Sequence, residues 1–143
     1  MTSNKFLIVG FGASAGGIPA LEGFFRNLPN DTGMAFLIVT HLSPERKSLL
    51  HEVVTRYTAM PVHVAEDGAD VEPDTVHVMP EGKIMTILDR RLQLMDDDPA
   101  HRERKPVDVL FASMAQDLGE NAVGIIMSGG NSDGTLGVKA IKE

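Results

Sequence analysis

Residues 6–17 read Phe6-Leu-Ile-Val-Gly-Phe-Gly-Ala-Ser-Ala-Gly-Gly17, and this stretch decides the fold class. Its first four residues form a short apolar run, which is typical of a strand buried on both faces. The glycines that follow indicate a tight turn. Apolar residues then recur at helical spacing behind a proline: Pro19, Leu21, Phe24, Phe25 and Leu28. The stretch therefore predicts a strand, a glycine-rich turn and a helix.

The same alternation continues along the chain. Residues 35–39, 61–65 and 122–127 are short apolar runs that predict further strands. Amphipathic helices are predicted after Pro44 and after Pro106, because each proline is followed by apolar residues at helical spacing. In the second of these helices we expect five residues to face inward: Val107, Leu110, Phe111, Met114 and Leu118. This order predicts an α/β domain with a doubly wound, mostly parallel sheet and helices on both faces, a Rossmann-like arrangement of three layers.

Residues 66–98 show a different pattern. Apolar and polar residues alternate there, at Val76 and Val78 among other places, and turn signals separate the alternating runs. We predict an antiparallel excursion of hairpins over this segment. The chain ends with residues 137–143, which predict a helix that stops without a cap. We therefore expect one domain over residues 1–143, truncated at its C-terminus.

Composition excludes several classes of protein. The chain has 143 residues and no cysteine, so it has no disulfide, no thiolate metal site and no cysteine nucleophile. A net charge of −7 argues against non-specific nucleic-acid binding. No apolar stretch is long enough for a membrane helix, and the first residues do not resemble a secretory signal. Four of the five histidines show no spacing typical of metal ligands: His51, His63, His77 and His101.

Ligands bind beyond the carboxyl ends of the strands in sheets of this kind. The first such segment contains Gly12-Ala-Ser-Ala-Gly16, which matches the pattern G-x-S-x-G of a serine nucleophile on a strand-to-helix turn. Residues 10–15 also match the dinucleotide fingerprint G-x-G-x-x-G/A. Neither motif is specific by itself.

The end of the second predicted strand favours the serine nucleophile. A dinucleotide site needs an acidic residue there to bind the ribose, whereas this chain has Thr40 and His41. A histidine at this place can act as the general base for Ser14. Asp133, in the glycine-rich turn after the last strand, can orient the histidine. Each residue alone has an ordinary structural reading as a helix cap, a structural histidine or a turn residue, and only their joint placement predicts a Ser14–His41–Asp133 triad.

The chain resembles the catalytic domain of the bacterial chemotaxis protein-glutamate methylesterases, the CheB type. The matching stretches occur in family order and span nearly the whole chain. They are Gly12-Ala-Ser-Ala-Gly-Gly17, His41-Leu-Ser-Pro44, Glu66-Asp-Gly68, Val76-His-Val-Met-Pro80, Pro106-Val-Asp-Val-Leu-Phe-Ala-Ser113 and Ser128-Gly-Gly-Asn-Ser-Asp-Gly134. The amino-acid sequence of residues 40–44 and 53–68 is most similar to that of methylesterase domains fused to a chemotaxis-type methyltransferase.

The resemblance implies a cytoplasmic serine hydrolase that removes methyl esters from glutamate side chains of chemoreceptors and deamidates receptor glutamines. It implies that Ser14 is the nucleophile, His41 the general base and Asp133 the orienting acid. Backbone N–H groups near the turns are the candidate oxyanion donors: Ala15, Gly16, Gly17, Gly130 and Asn131. No metal or organic cofactor is expected. The expected partners are a methylated chemoreceptor and fused methyltransferase or regulatory domains, with no nucleic acid and no membrane insertion.

The sequence departs from the family pattern in one loop. Gly130 and Asn131 stand where the family usually has Met or Thr and then Gly. Asn adopts left-handed backbone conformations more readily than most residues, so the turn itself is compatible with it. The departure keeps a second hypothesis open, a catalytically silent interaction module inside a larger signalling protein. Nucleotide binding at the glycine turn is the third.

Overall fold

A computed structural model describes residues 6–13, 17–40, 44–80, 82–97 and 105–127. The strands are β1 (Ile8–Ala13), β2 (Ala35–Thr40), β3 (Val62–Val64), β4 (Val76–Val78), β5 (Lys83–Leu88), β6 (Arg91–Asp96) and β7 (Ala122–Met127). The helices are α1 (Ile18–Arg26), α2 (Pro44–Thr55) and α3 (Pro106–Leu118), which is followed by a single 3-10 turn (Gly119–Asn121).

Five parallel strands form the main sheet in the order β3-β4-β2-β1-β7. The prediction of a mostly parallel sheet with helices on both faces is confirmed. Strands β5 and β6 form a separate antiparallel hairpin, as expected for part of the excursion. Because crossovers between parallel strands place helices on the faces of the sheet, β1 and β2 are buried at every position.

The two faces of the sheet bury separate cores, since successive side chains of a strand point to opposite faces. One core joins the sheet to α1 and α2, and four phenylalanine rings pack edge-to-face or tilted within it: Phe11, Phe24, Phe25 and Phe36. The other core joins the sheet to α3 and the hairpin. All five residues predicted to face inward from α3 are buried: Val107, Leu110, Phe111, Met114 and Leu118.

The prediction that the hairpin excursion begins before Val76 is wrong. Residues Val76–Val78 form β4, a parallel strand inside the main sheet between β3 and β2, and all three are buried. The alternation arises because a polar residue, His77, lies between two valines and is nevertheless buried, with 5% of its surface exposed. Polar alternation normally marks a strand with one face in water, so the pattern predicted the wrong kind of strand.

The first glycines are also placed differently from the prediction. Gly10 and Gly12 lie inside β1, not in the turn that follows it. A Cβ atom at Gly10 would lie 2.7 Å from Met114 Sδ, and one at Gly12 would lie 2.5 Å from Val107 Cγ1. Gly12 is therefore required because the branched Val107 side chain of α3 packs against it, whereas at Gly10 the nearest atom belongs to the flexible end of Met114.

The hairpin is held against α3 by its turn. Asp89 and Arg90 both have positive φ angles, of 53° and 59°, which side chains other than glycine rarely adopt. The carboxylate of Asp117 on α3 accepts both backbone N–H groups of this turn, at 2.8 and 3.1 Å. These charge-assisted hydrogen bonds offset the unfavourable backbone conformation and fix the hairpin to the helix.

We expect His77 to make the free energy of unfolding depend on pH. Burial, and secondarily the neighbouring His63, lowers the pKa of His77 from 6.5 to about 4. Between these two values the unfolded chain binds a proton that the folded chain does not, so stability falls as the pH decreases from 6.5 to 4. The loss attributable to His77 reaches about 3 kcal/mol at the lower limit. Above pH 6.5 the residue is neutral in both states and contributes no pH dependence.

Urea unfolding at pH 7, 6 and 5 measures this effect, with His77→Phe as the comparison. The variant is expected to lose stability less steeply than the wild-type chain as the pH decreases. The two proteins differ only at residue 77, so the difference between the two slopes isolates His77. Parallel pH profiles for the two proteins would contradict the prediction.

Candidate functional site

The carboxyl ends of three neighbouring strands lie side by side at one edge of the sheet. Strand β1 lies between β2 and β7. Its last residue, Ala13, is paired in register with Thr40 at the end of β2 and with Met127 at the end of β7. Adjacent strands lie about 4.8 Å apart, so the three ends fall within roughly 10 Å of one another. Three strands therefore end at the same level and next to one another.

The predicted nucleophile and base follow directly on two of these strand ends. Ser14 is the next residue after Ala13, and His41 is the next residue after Thr40. The segment that contains Asp133 begins after Met127. The structure thus brings together the three strand ends that precede the predicted triad. The triad residues themselves lie outside the described residues, as do four predicted oxyanion donors: Ala15, Gly16, Gly130 and Asn131.

Gly17 is the predicted site residue that the structure does describe. It is buried and directly precedes α1. A Cβ atom at this position would lie 1.7 Å from the carbonyl oxygen of Met127 and 2.7 Å from its carbonyl carbon. The start of α1 therefore touches the backbone at the end of β7, and no side chain fits between them.

This contact ties two segments of the candidate site together. Ser14 precedes Gly17 by three residues, and the segment leading to Asp133 starts after Met127. Gly17 caps α1 without a side-chain hydrogen bond. Backbone N–H groups at a helix N-terminus favour negative charge, which is the charge that develops on the oxygen of an ester carbonyl under attack. The sequence predicted a site role for Gly17 only as a candidate N–H donor, and its contact with β7 was not predicted.

The surroundings of Gly10 and Gly12 bear on the dinucleotide alternative. The second glycine of that fingerprint lets a pyrophosphate approach the backbone closely. Here the space beside Gly12 is filled by the Val107 side chain of α3, and both glycines belong to the strand. The close approach that these glycines permit is thus made by a helix, which removes the main physical support for a nucleotide at this turn.

Three further observations concern the described part of the chain. None of its helices is long and apolar enough to cross a membrane. Within the same residues, no three side chains of the histidine, aspartate or glutamate type converge in the manner of a metal site. Thr40 is one of two buried polar residues there and has 2% of its surface exposed, so a buried hydroxyl-bearing residue directly precedes His41.

Comparisons with known proteins point to one family. A family model described as CheB methylesterase matches residues 9–143. The chain is similar to the protein-glutamate methylesterase/protein-glutamine glutaminase of Enterobacter cloacae, with 34% identity over 145 residues that cover 99% of this chain and 41% of the relative. It is also similar to a Myxococcus xanthus protein of the same description, with 33% identity over 139 residues that cover 94% of this chain and 40% of that one.

A solved structure matches over almost the whole chain. The crystal structure of the Thermotoga maritima CheB methylesterase catalytic domain has a TM-score of 0.82 and 25% sequence identity with this chain. The match covers 96% of this chain and 75% of that one. The chain spans about two fifths of the length of the curated relatives it matches.

Proposed function

Because the chain belongs to the CheB methylesterase family, we propose that it hydrolyses glutamate γ-methyl esters on chemoreceptors and deamidates receptor glutamine side chains. One observation of the fold supports this proposal most directly. The register of β1, β2 and β7 aligns the three strand ends, which precede Ser14, His41 and the Asp133 segment in that order. A serine, a base and an orienting acid act together only when their side chains lie close to one another, so the segments that carry them have to follow neighbouring strand ends at the same edge of the sheet.

In the proposed reaction, the Ser14 hydroxyl attacks the ester carbonyl carbon while His41 takes its proton. The tetrahedral intermediate expels methoxide, which leaves as methanol after His41 returns the proton. A water molecule, deprotonated by His41, then attacks the acyl-enzyme and releases the glutamate carboxylate, and Ser14 regains its proton. Asp133 orients His41 and stabilises its protonated form. Deamidation follows the same course, with ammonia as the leaving group.

The oxyanion would be stabilised by backbone N–H groups around the two turns. Candidates are Ala15, Gly16, Gly17, Gly130 and Asn131. One such donor contributes about 3 kcal/mol to transition-state stabilisation in serine hydrolases. The close approach of Gly17 to the Met127 backbone supports this assignment, since the residues from which the two segments continue lie next to each other.

The proposed setting is the cytoplasm, with the helical cytoplasmic part of a chemoreceptor as the partner. The net charge of −7 gives the chain no long-range attraction to glutamate-rich helices. Docking therefore depends on local contacts or on a tether, and we propose fused methyltransferase or regulatory domains as that tether.

Methanol release from a receptor carrying methyl esters tests the proposal. The chain is expected to release methanol in proportion to the esters removed, and to release ammonia from a receptor with glutamine at the same positions. Substituting His41→Gln is expected to slow both reactions strongly, because Ser14 loses its base. If the folded chain binds the receptor but neither product forms, the enzyme proposal fails and the catalytically silent interaction module is favoured instead.

A further inference from the structure

Two histidines lie next to each other on β3 and β4, the two strands farthest from β7 in the main sheet. His63 on edge strand β3 pairs in register with His77 on β4. Their imidazole rings have centroids 5.3 Å apart and planes inclined by 34°. His63 is exposed, whereas His77 is buried. Both line a groove of about 370 Å³, together with Glu66 and Asp70.

The hydrogen bonds around His77 assign its tautomer. The hydroxyl of Thr75 donates to the carbonyl oxygen of Glu72 at 2.6 Å, so its oxygen can only accept from the imidazole. His77 Nε2 lies 3.5 Å from that oxygen and is therefore the nitrogen that carries the proton. In the neutral ring, Nδ1 then has a free lone pair.

This Nδ1 atom is buried and has no hydrogen-bond partner among the described residues. A buried acceptor without a partner is unusual in folded proteins and calls for a ligand that accepts its electron pair. His77 thus resembles a metal-binding histidine, whose second nitrogen typically donates its proton to a neighbouring oxygen.

The edge strand that carries His63 is held by a third histidine. His51 Nε2 lies 2.9 Å from the carbonyl oxygen of Val62 on β3. Since a carbonyl can only accept, His51 donates this hydrogen bond. It thereby connects α2 to the edge strand and helps keep His63 beside His77.

We propose that His63 and His77 form a binding site for a divalent transition-metal ion of the Zn²⁺ or Ni²⁺ type. Imidazole nitrogen is a preferred ligand of these ions. With metal–nitrogen distances of about 2.0–2.1 Å, two imidazoles on one tetrahedral ion have ring centroids roughly 5 Å apart, which is close to the separation of this pair. The remaining coordination positions are filled by water.

Carboxylates on the rim favour a cation over an anion as the ligand. Glu66 is exposed, and Asp70 forms an ion pair with Arg91, in which Nε lies 2.9 Å from Oδ1. Because two histidines rather than three or four side chains converge, we expect affinity in the micromolar range and not that of a structural zinc site. A bound ion would connect edge strand β3 to β4, and so stabilise the folded state. The proposal is independent of the proposed hydrolase activity.

Titration of the chain with ZnCl₂ and with NiCl₂ by calorimetry at pH 7.5 tests this site. The wild-type chain is expected to bind one ion in the groove and to unfold at a higher temperature when loaded. His63→Ala removes an exposed ligand and is expected to weaken this binding at least about 10-fold. Val64→Ala, the matched control, changes an exposed residue of the same edge strand that offers no ligand atom, and is expected to retain affinity within about 2-fold.

A spectroscopic measurement complements the titration without replacing His77. Long-range ¹H–¹⁵N spectra of the histidine rings are expected to show that Nδ1 of His77 shifts on addition of Zn²⁺, while Nε2 keeps its proton. Three outcomes would overturn the proposal: no saturable binding, equal affinity of wild-type and His63→Ala chains, or equal loss of affinity in His63→Ala and Val64→Ala. An unchanged His77 Nδ1 signal in the zinc-saturated chain would overturn it as well.

Discussion

Replacing Ser14 with alanine is expected to lower kcat/KM for methanol release from a methylated chemoreceptor by about 10⁴-fold or more. The proposed reaction proceeds through an ester between substrate and the serine oxygen, and alanine offers no atom that can form it. Residual rate would come from binding and from the oxyanion donors alone, which remain in place. Steady-state kinetics of methanol formation measures the effect.

A second serine provides the matched control. Ser113 Oγ accepts the Ile87 backbone N–H at 3.1 Å and donates to the Leu110 carbonyl at 2.8 Å, which links α3 to the hairpin. Ser113→Ala is expected to reduce stability by about 1 kcal/mol and leave kcat/KM nearly unchanged. Circular dichroism should show that both variants fold. Full activity in a folded Ser14→Ala chain would disprove the proposed mechanism.

Replacing Gly17 with alanine is expected to destabilise the fold by roughly 3 kcal/mol or more and to reduce hydrolysis sharply. The added Cβ would lie 1.7 Å from the Met127 carbonyl oxygen, which is far inside contact distance. Both partners are backbone, so neither a rotamer change nor a flexible side chain can relieve the overlap. Either α1 or the end of β7 has to move, and with it one of the two turns that carry the proposed site.

The same helix contains a second glycine, Gly23, at which substitution by alanine is expected to raise stability instead of lowering it. Gly23 lies within α1, and a Cβ there has no atom within 4 Å. Gly23→Ala is therefore expected to stabilise the chain by about 0.5–1 kcal/mol, since alanine favours the helical conformation. Urea unfolding of both variants measures the contrast. Similar stabilities for Gly17→Ala and Gly23→Ala would contradict the contact between α1 and β7.

The local patterns predicted most elements that pack through apolar side chains. The inward face of α3 was predicted residue by residue, because its apolar positions recur at a single helical period. The strands around Val9 and Leu37 were predicted for a similar reason, as continuous apolar runs flanked by turn signals.

The errors occurred where a residue's role depends on a distant part of the chain. His77 made β4 look half-exposed, since no local signal shows that a polar residue is buried by its neighbours. Gly10 and Gly12 looked like turn residues, although both lie inside β1 and face α3. The pairing of His63 with His77 depends on strand register, which the spacing of the two residues along the chain does not reveal.

The sequence by itself determined the α/β class and the amphipathic helices that begin near Pro19 and Pro106, and its lack of cysteine excluded a cysteine nucleophile. Periodicity and residue chemistry are local properties, so one chain is enough to specify them. Only the tertiary structure decided that β1 lies between β2 and β7 with their ends in register, and that Gly17 touches Met127. Strand order and close backbone approach are set by packing between segments distant in the chain, and that packing brings the segments of the proposed site to one edge of the sheet.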